Sequence, residues 1–344
     1  MKSYIEFLNE GFMFEKKIKK HILITAFAPI TSHEDYKYIT IDLAKFLFDK
    51  YDTDVMYIKT GDEKEIAKLG NDRPILYMTS NRDDYWHLGL KNLDCVYGSV
   101  LPWDKVIFSK LFHHRDWLPK TVFTLEDALE LNFPIIAKIK SGHSGLGVKK
   151  FSSAEELQNF KQPFKLSIYQ GITTNFDLYS ECVEFTNEFR AFVLNGKIFY
   201  VSDRIGIDGL KSTVKGKDYK SSVKFLYVPQ DYQKIPKSIT SQLEKICATI
   251  EEDVKLKYFA LDWCVDNNGK VWVFEVNKQP GLNADELYYN YKAMYQDFYK
   301  KEVDSEIEDY ILRNYVHKIY RMYYEGKEDL WAKSKWPIDT KTFM

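Results

Sequence analysis

Two carboxylates and an amide, Asp262, Glu275 and Asn277, stand in the stretch YFALDWCVDNNGKVWVFEVNKQPGL, where their spacing could assemble a cation site. The dipeptide Asn268-Gly269 favours a two-residue type I′ turn between two apolar strands. With those residues at the tip, Asn267 faces Lys270, Asp262 comes directly opposite Glu275, and Asn277 follows on the same face. Opposed side chains of an antiparallel pair lie about 4.5–5.5 Å apart at Cβ, where like charges repel. Something positive must therefore sit between them. Oxygen donors of this kind suit magnesium, which keeps water ligands and binds phosphates. The competing reading is a polar face open to water, against which Trp263, Val265, Val271, Val273 and Val276 mark a buried hairpin.

Upstream, FPIIAKIKSGHSGLGVKKF reads as a strand carrying Lys138, a loop with Gly142, Ser144, Gly145 and Gly147, and a second strand. Glycines let backbone N–H groups approach a polyphosphate, and serine adds a donor. The loop lacks Gly-Lys-Ser/Thr and is not a P-loop. Lys140 lies on the same strand face as Lys138 and competes with it. Another lysine, Lys110, precedes a short helix and a Leu-Pro step, in which His113 and His114 read as surface residues. A second hairpin is signalled by Asn195-Gly196 and places Glu188 and Arg190 on one face. Simple alternation puts Arg204 on the opposite face, unless the strand bulges or ends before it.

Taken in order, Lys110, Lys138 with its glycine loop, Glu188-Phe-Arg-Ala-Phe-Val, Asp262, Glu275-Val276-Asn277 and Pro280-Gly281-Leu282 resemble the ATP-grasp superfamily. The E-V-N-x-x-P-G-L run is similar to that of the ribosomal-protein glutamate ligases. The E-F-R-x-F-V element is similar to that of the clade containing the eukaryotic initiation-factor assembly protein and phage relatives, although that clade usually ends in Asp-Phe-Asn. The resemblance implies an ATP-grasp fold of the α/β (α+β) class that takes ATP and Mg2+. It implies that Asp262, Glu275 and Asn277 hold the metal and that Lys110 and Lys138 meet the phosphates. Ser144, Gly145 and Gly147 would then belong to a closing loop, and Glu181, Cys182 and Val183 would contact adenine through backbone groups. Glu188 would lie near the ribose or phosphates, while Lys138, Arg190 and Arg204 would neutralise the transferred phosphoryl group. The implied activity is carboxylate–amine ligation through an acyl phosphate, with a protein or peptide among the acceptors. An ATP-binding assembly factor with little turnover and a small-molecule kinase stay open as alternatives.

The elements that must position these groups follow from periodicity. Apolar runs at Ile22 to Phe27, Val55 to Ile58 and Ile75 to Met78 alternate with helical spacing at Ile39, Leu43, Phe46 and Leu47, which predicts an open N-terminal α/β domain over 21–105. No glycine fingerprint follows its first strand, which argues against a dinucleotide site. The ATP-grasp domain is expected over 106–283, with a small subdomain near 120–180 and a large one near 181–283. A helical extension over 284–344 follows, in which Ile307, Ile311, Tyr315, Ile319 and Met322 keep one face apolar.

A 344-residue chain that is 45% hydrophobic can bury a sizeable core, and a net charge of −1 offers no whole-chain attraction to nucleic acid. Four dispersed cysteines make neither a zinc motif nor a disulfide framework. No apolar run reaches the roughly 20 residues of a membrane helix, so a cytoplasmic chain with no membrane partner is expected. Met1 to Glu10 reads as an amphipathic turn and also resembles the cleavable capsid-targeting segment of phage internal head proteins, which implies packaging in a virion. Four lysines between Lys211 and Lys220 suggest a lid, a dock for an acidic chain, or a solvated loop.

Overall fold

Apolar, β-branched runs become the strands of the N-terminal unit: β1 His21–Ala26, β2 Thr53–Tyr57, β3 Ile75–Thr79 and β4 Cys95–Val96 form a parallel sheet in the order β2-β1-β3-β4. Parallel neighbours require crossovers, as the alternating sequence pattern demands. The computed structural model describes residues 21–26, 53–57, 75–79, 95–96, 103–140, 147–161, 164–167, 171–173, 175–206, 225–230, 232–278, 280, 284–300, 302–303 and 305. The expectations for residues 1–10, for Ser144 and Gly145, for Lys211 to Lys220, for Gly281 and Leu282, for the first N-terminal helix and for the apolar face from Ile307 lie outside the described residues. The chain divides into two compact units, Met1–Ala28 with Lys37–Val96, and Pro29–Tyr36 with Tyr97–Met344.

The second unit contains a small antiparallel sheet in the order β5-β10-β6-β7, built from β5 Thr121–Val122, β6 Ile135–Lys138, β7 Val148–Phe151 and β10 Leu178–Glu181. Its core includes Ala128, Leu131, Ile135, Ala137, Ile139 and Phe151. Two short helices, α2 Leu125–Leu129 and α3 Ala154–Gln158, start where Thr124 and Ser153 accept backbone N–H bonds. Phe164–Ser167 and Gly171–Thr173 pair as a separate hairpin, β8-β9.

The large antiparallel sheet has the order β13-β12-β11-β14-β15, from β11 Phe185–Leu194, β12 Lys197–Gly206, β13 Phe225–Gln230, β14 Tyr258–Asp266 and β15 Val271–Asn277. One face packs against α1 Lys105–Phe112 and α4 Lys237–Val254. Ile239, Leu243, Ile246 and Ile250 recur at helical spacing and bury one stripe of α4 against Phe189, Ala191, Leu261, Trp263, Val271 and Val273. Residues after Asn283 turn helical as expected, in α5 Ala284–Tyr299, which contacts β11 and β12.

Both hairpins depart from a simple register, and the departures build the site. Asn195 (φ 49°) and Gly196 (φ 69°) form the expected two-residue turn and pair Leu194 with Lys197. Phe199 is then an extra residue between Ile198 and Tyr200, so Arg204 comes opposite Glu188 and Ser202 opposite Arg190. This bulge carries Arg204 onto the face of Arg190, against simple alternation.

The other hairpin corrects the predicted turn. Its tip has three residues, Asn267 to Gly269: Asp266 N–H bonds Lys270 O at 3.0 Å, Gly269 N–H bonds Asp266 O at 3.1 Å, and Gly269 has φ 81°. Asp266 Oδ1 accepts from the Asn268 and Lys270 N–H groups, which favours the longer tip. A bulge at Phe274 then restores the offset and leaves Asp262 opposite Glu275. Two one-residue departures cancel. Because Val271, Val273 and Val276 all point into the core, Phe274 and Glu275 both stay on the other face.

Candidate active site

Across the site face of the large sheet, Ser202, Arg190, Asp262 and Glu275 form one cross-strand row, with Arg204 and Glu188 in the next. Arg190 grips Asp262 with both arms, Nε to Oδ1 at 2.7 Å and Nη2 to Oδ2 at 3.0 Å. Arg204 Nη1 donates to Asp262 Oδ2 at 2.8 Å and also to Glu188 Oε1. Arg190, Arg204, Glu188 and Asp262 are all buried. Burial pushes the Asp262 carboxyl up, but the arginines outweigh it and hold the group below the ordinary aspartate value. Such a clamp is costly to break, since removing one partner of a buried pair costs about 3–5 kcal/mol.

Asn277 Nδ2 reaches Asp262 Oδ2 at 3.4 Å, which brings the three predicted metal ligands together on one face. The charge expected between Asp262 and Glu275 comes from side chains: the arginines hold Asp262, and Lys105 Nζ lies 3.0 Å from Glu275 Oε1. Among the described residues no three His, Cys, Asp or Glu side chains form a ligand cluster. A cation here would rest on Asp262, Glu275, the Asn277 amide oxygen, phosphate oxygens and water. That set of hard oxygen donors fits magnesium.

Lys138 stands on β6 of the small sheet, yet Glu275, Glu188 and Asp262 all act on its charge. Its ammonium lies 5.9 Å from the centre of the Phe274 ring and makes no ion pair or hydrogen bond among the described residues. Burial lowers its pKa most, Lys105 lowers it further, and the three carboxylates pull it back. Lys140, the competitor, lies beyond the end of the strand and is exposed.

Lys110 lies on the outer side of α1, exposed, with its ammonium 5.2 Å from the Phe123 ring. Lys105 reaches the carboxylates instead, because it precedes Phe108, Ser109 and Phe112 at helical spacing and shares their buried face. Sequence reasoning missed it, although that spacing was available, as was Asp104, whose side chain caps the helix by accepting from the Val106 and Ile107 N–H groups. Trp103 Nε1 donates to Val276 O at 2.7 Å and ties this helix start to β15.

Glu181, Cys182 and Val183 lead from the small sheet to the large one and line a cleft of about 320 Å3 with Asn267, Asn268 and Trp272 opposite. Glu181 turns its carboxylate to Asn132, accepting from its N–H and Nδ2, and Cys182 N–H bonds Pro134 O at 3.0 Å. Glu181 N–H bonds Lys120 O at 3.0 Å as well, so the backbone N–H groups of both Glu181 and Cys182 are engaged within the protein. Gly147 closes the described end of the glycine loop with φ 71°; its carbonyl accepts from Ile139 N–H, and a Cβ there would lie 2.3 Å from Ile139. His113 and His114 are exposed, as predicted.

A family model described as YheC/D like ATP-grasp matches residues 212–304. A D-alanine–D-alanine ligase of Francisella philomiragia is 25% identical over 213 residues, 58% of this chain and 65% of its own length. D-alanine–D-alanine ligase B of Clostridium perfringens is 22% identical over 184 residues, 52% of this chain and 55% of its own. The match therefore spans less than two thirds of either relative. The crystal structure of D-alanine–D-alanine ligase from Bacillus anthracis superposes with a TM-score of 0.56 at 15% identity, covering 88% of this chain and 99% of that one.

The chain has the ATP-grasp fold. Within that ATP-grasp framework the small sheet contributes Lys138, the large sheet contributes the arginine-clamped carboxylates, and the 181–183 segment joins them. No helix among the described residues is long and apolar enough to cross a membrane.

Proposed function

We propose that this chain is an ATP- and magnesium-dependent ligase that joins a carboxylate to an amine through an acyl phosphate. The observation that carries the reading is Lys138, a half-buried ammonium without an ion pair among the described residues, set beside Glu188, Asp262 and Glu275. Such an ammonium is matched by an anion with its own cation, which is what a magnesium-bound triphosphate brings. The named relatives are ligases that join D-alanine to D-alanine, which supports carboxylate–amine chemistry at the level of the fold.

In this reading the cleft beside Glu181, Cys182 and Val183 takes the adenine through backbone groups, with Glu188 toward the ribose or phosphates. Lys105 and Lys138 receive the phosphates, and Lys105 takes the role first expected of Lys110. Asp262, Glu275 and Asn277 hold the magnesium ion, whose charge neutralises phosphate oxygens when it is bound. Ser144, Gly145 and Gly147 belong to the loop that covers them. A substrate carboxylate oxygen bonds to the γ-phosphorus while the bond to ADP breaks; the amine then attacks the acyl carbon and phosphate leaves. Arg190 and Arg204 stabilise the negative charge of the transferred group, and the protein otherwise supplies position.

The acceptor we favour is a protein or peptide, with Lys211 to Lys220 supplying positive charge for an acidic chain. Lysate proteins incubated with the chain, magnesium and ATP should gain a discrete mass, with ADP and phosphate released together, and Glu275→Gln should abolish both. Unchanged protein masses together with a stable phosphorylated small molecule would contradict ligation.

A further inference from the structure

Lys105 stands where helix stability does not ask for a base. It is the first residue of α1, the end at which the helix dipole favours negative charge, and the cap there is already supplied by Asp104. Its ammonium lies instead 3.0 Å from Glu275 Oε1, with 12% of the lysine side chain and 25% of the glutamate side chain exposed. That is neither a sealed pair nor a surface one, so an ion arriving from solvent can compete for it.

The start of the helix is tied down. Trp103 Nε1 donates to Val276 O at 2.7 Å, and Val276 is the residue between Glu275 and Asn277. The backbone beside Lys105 is therefore held against the strand that carries two of the proposed metal ligands. What is left to move is the four-carbon stem of the lysine.

A bare divalent cation meets carboxylates that the chain's own cations already hold. Asp262 Oδ1 accepts from Arg190, Oδ2 accepts from Arg190 and Arg204, and Glu275 Oε1 is held by Lys105. To reach Glu275, such a cation must displace a charge of its own sign, with Lys138 close enough to feel both Lys105 and Glu275. A polyphosphate changes the balance, because it offers the two ammoniums an anion to which they can turn.

We infer that Lys105 is a gate on Glu275: its ammonium guards the carboxylate against free divalent cations and releases it when a polyphosphate takes the ammonium over. The inference rests on the nucleotide reading above and adds an order to it, in which the metal enters with the nucleotide or after it.

The test titrates the full chain with manganese, read by electron paramagnetic resonance, first alone and then with a non-hydrolysable ATP analogue. The wild-type chain should bind manganese at least about tenfold more tightly when the analogue is present. Lys105→Met keeps the length of the stem and removes the charge. It should tighten the binding of manganese alone about tenfold and shrink the difference that the analogue makes. In a Glu275→Gln background the same substitution should bring no gain, which separates release of this carboxylate from a general change in local charge. Thermal midpoints report whether each variant is folded, and Lys105→Gln makes the same test should Lys105→Met fail to fold. Three results overturn the gate and leave the nucleotide reading intact: wild-type affinity for manganese that the analogue does not change, no gain on removing the lysine charge, or an equal gain in the Glu275→Gln background. Failure of the wild-type chain to bind the analogue, with or without manganese, overturns both.

Discussion

Lys138 shows how one residue can be legible while its neighbours are not. Its position on a strand that leads into a glycine loop singled it out, and burial now separates it from Lys140, which alternation could not do. Lys138→Ala should weaken ATP binding by about 10–100-fold, the loss of a charge-assisted contact, whereas Lys140→Ala should stay within about twofold; calorimetric titration of ATP separates them. The resemblance pointed to Lys110 rather than Lys105, although the place of Lys105 on the buried stripe of α1 follows from the spacing of Phe108 and Phe112. Asp262 makes a prediction about pH. Its folded pKa is depressed, so its ionised form stabilises the fold above the ordinary value of 3.8, and that contribution is lost as pH falls through the lower folded value. Thermal midpoints of the wild type and Asp262→Asn should therefore be separated at neutral pH and converge on acidification below 3.8. A constant gap would contradict the clamp.

At the scale of elements, turn dipeptides announced both hairpins, and bulges decided what they present. The signal for the bulge at Phe274 lies in the break from alternate to wider spacing between Val273 and Val276, which makes sense once all three valines must reach one core. The bulge at Phe199 had no comparable mark, since β12 alternates against two neighbours whose packing is set elsewhere in the chain. Without it Arg204 would point into the core. Glycines that look alike in the sequence also differ. Gly147 has a positive φ and sits against Ile139, whereas Gly269 has a positive φ in open space. Gly147→Ala should destabilise the chain by about 2–3 kcal/mol through strain and overpacking, and Gly269→Ala by about 1 kcal/mol; urea unfolding measures the difference, and equal losses would contradict the packing argument.

For the whole molecule, the parallel N-terminal sheet and the two antiparallel sheets were readable because strand periodicity and turn residues are local. The convergence of Lys105, Lys138, Arg190, Arg204 and the carboxylates was not, since it depends on two sheets and a helix meeting across more than 100 residues of chain. The resemblance supplied the order of the groups, and the bulges supply their direction. The account stands on one claim, that these groups hold a magnesium-bound triphosphate. A crystal structure with manganese and a non-hydrolysable ATP analogue tests it directly, because the anomalous signal of manganese locates the cation. The account predicts a manganese peak in contact with Glu275 and Asn277, with phosphate oxygens beside Lys138. A nucleotide bound away from the carboxylate row, or a cation that touches neither Glu275 nor Asn277, would contradict it.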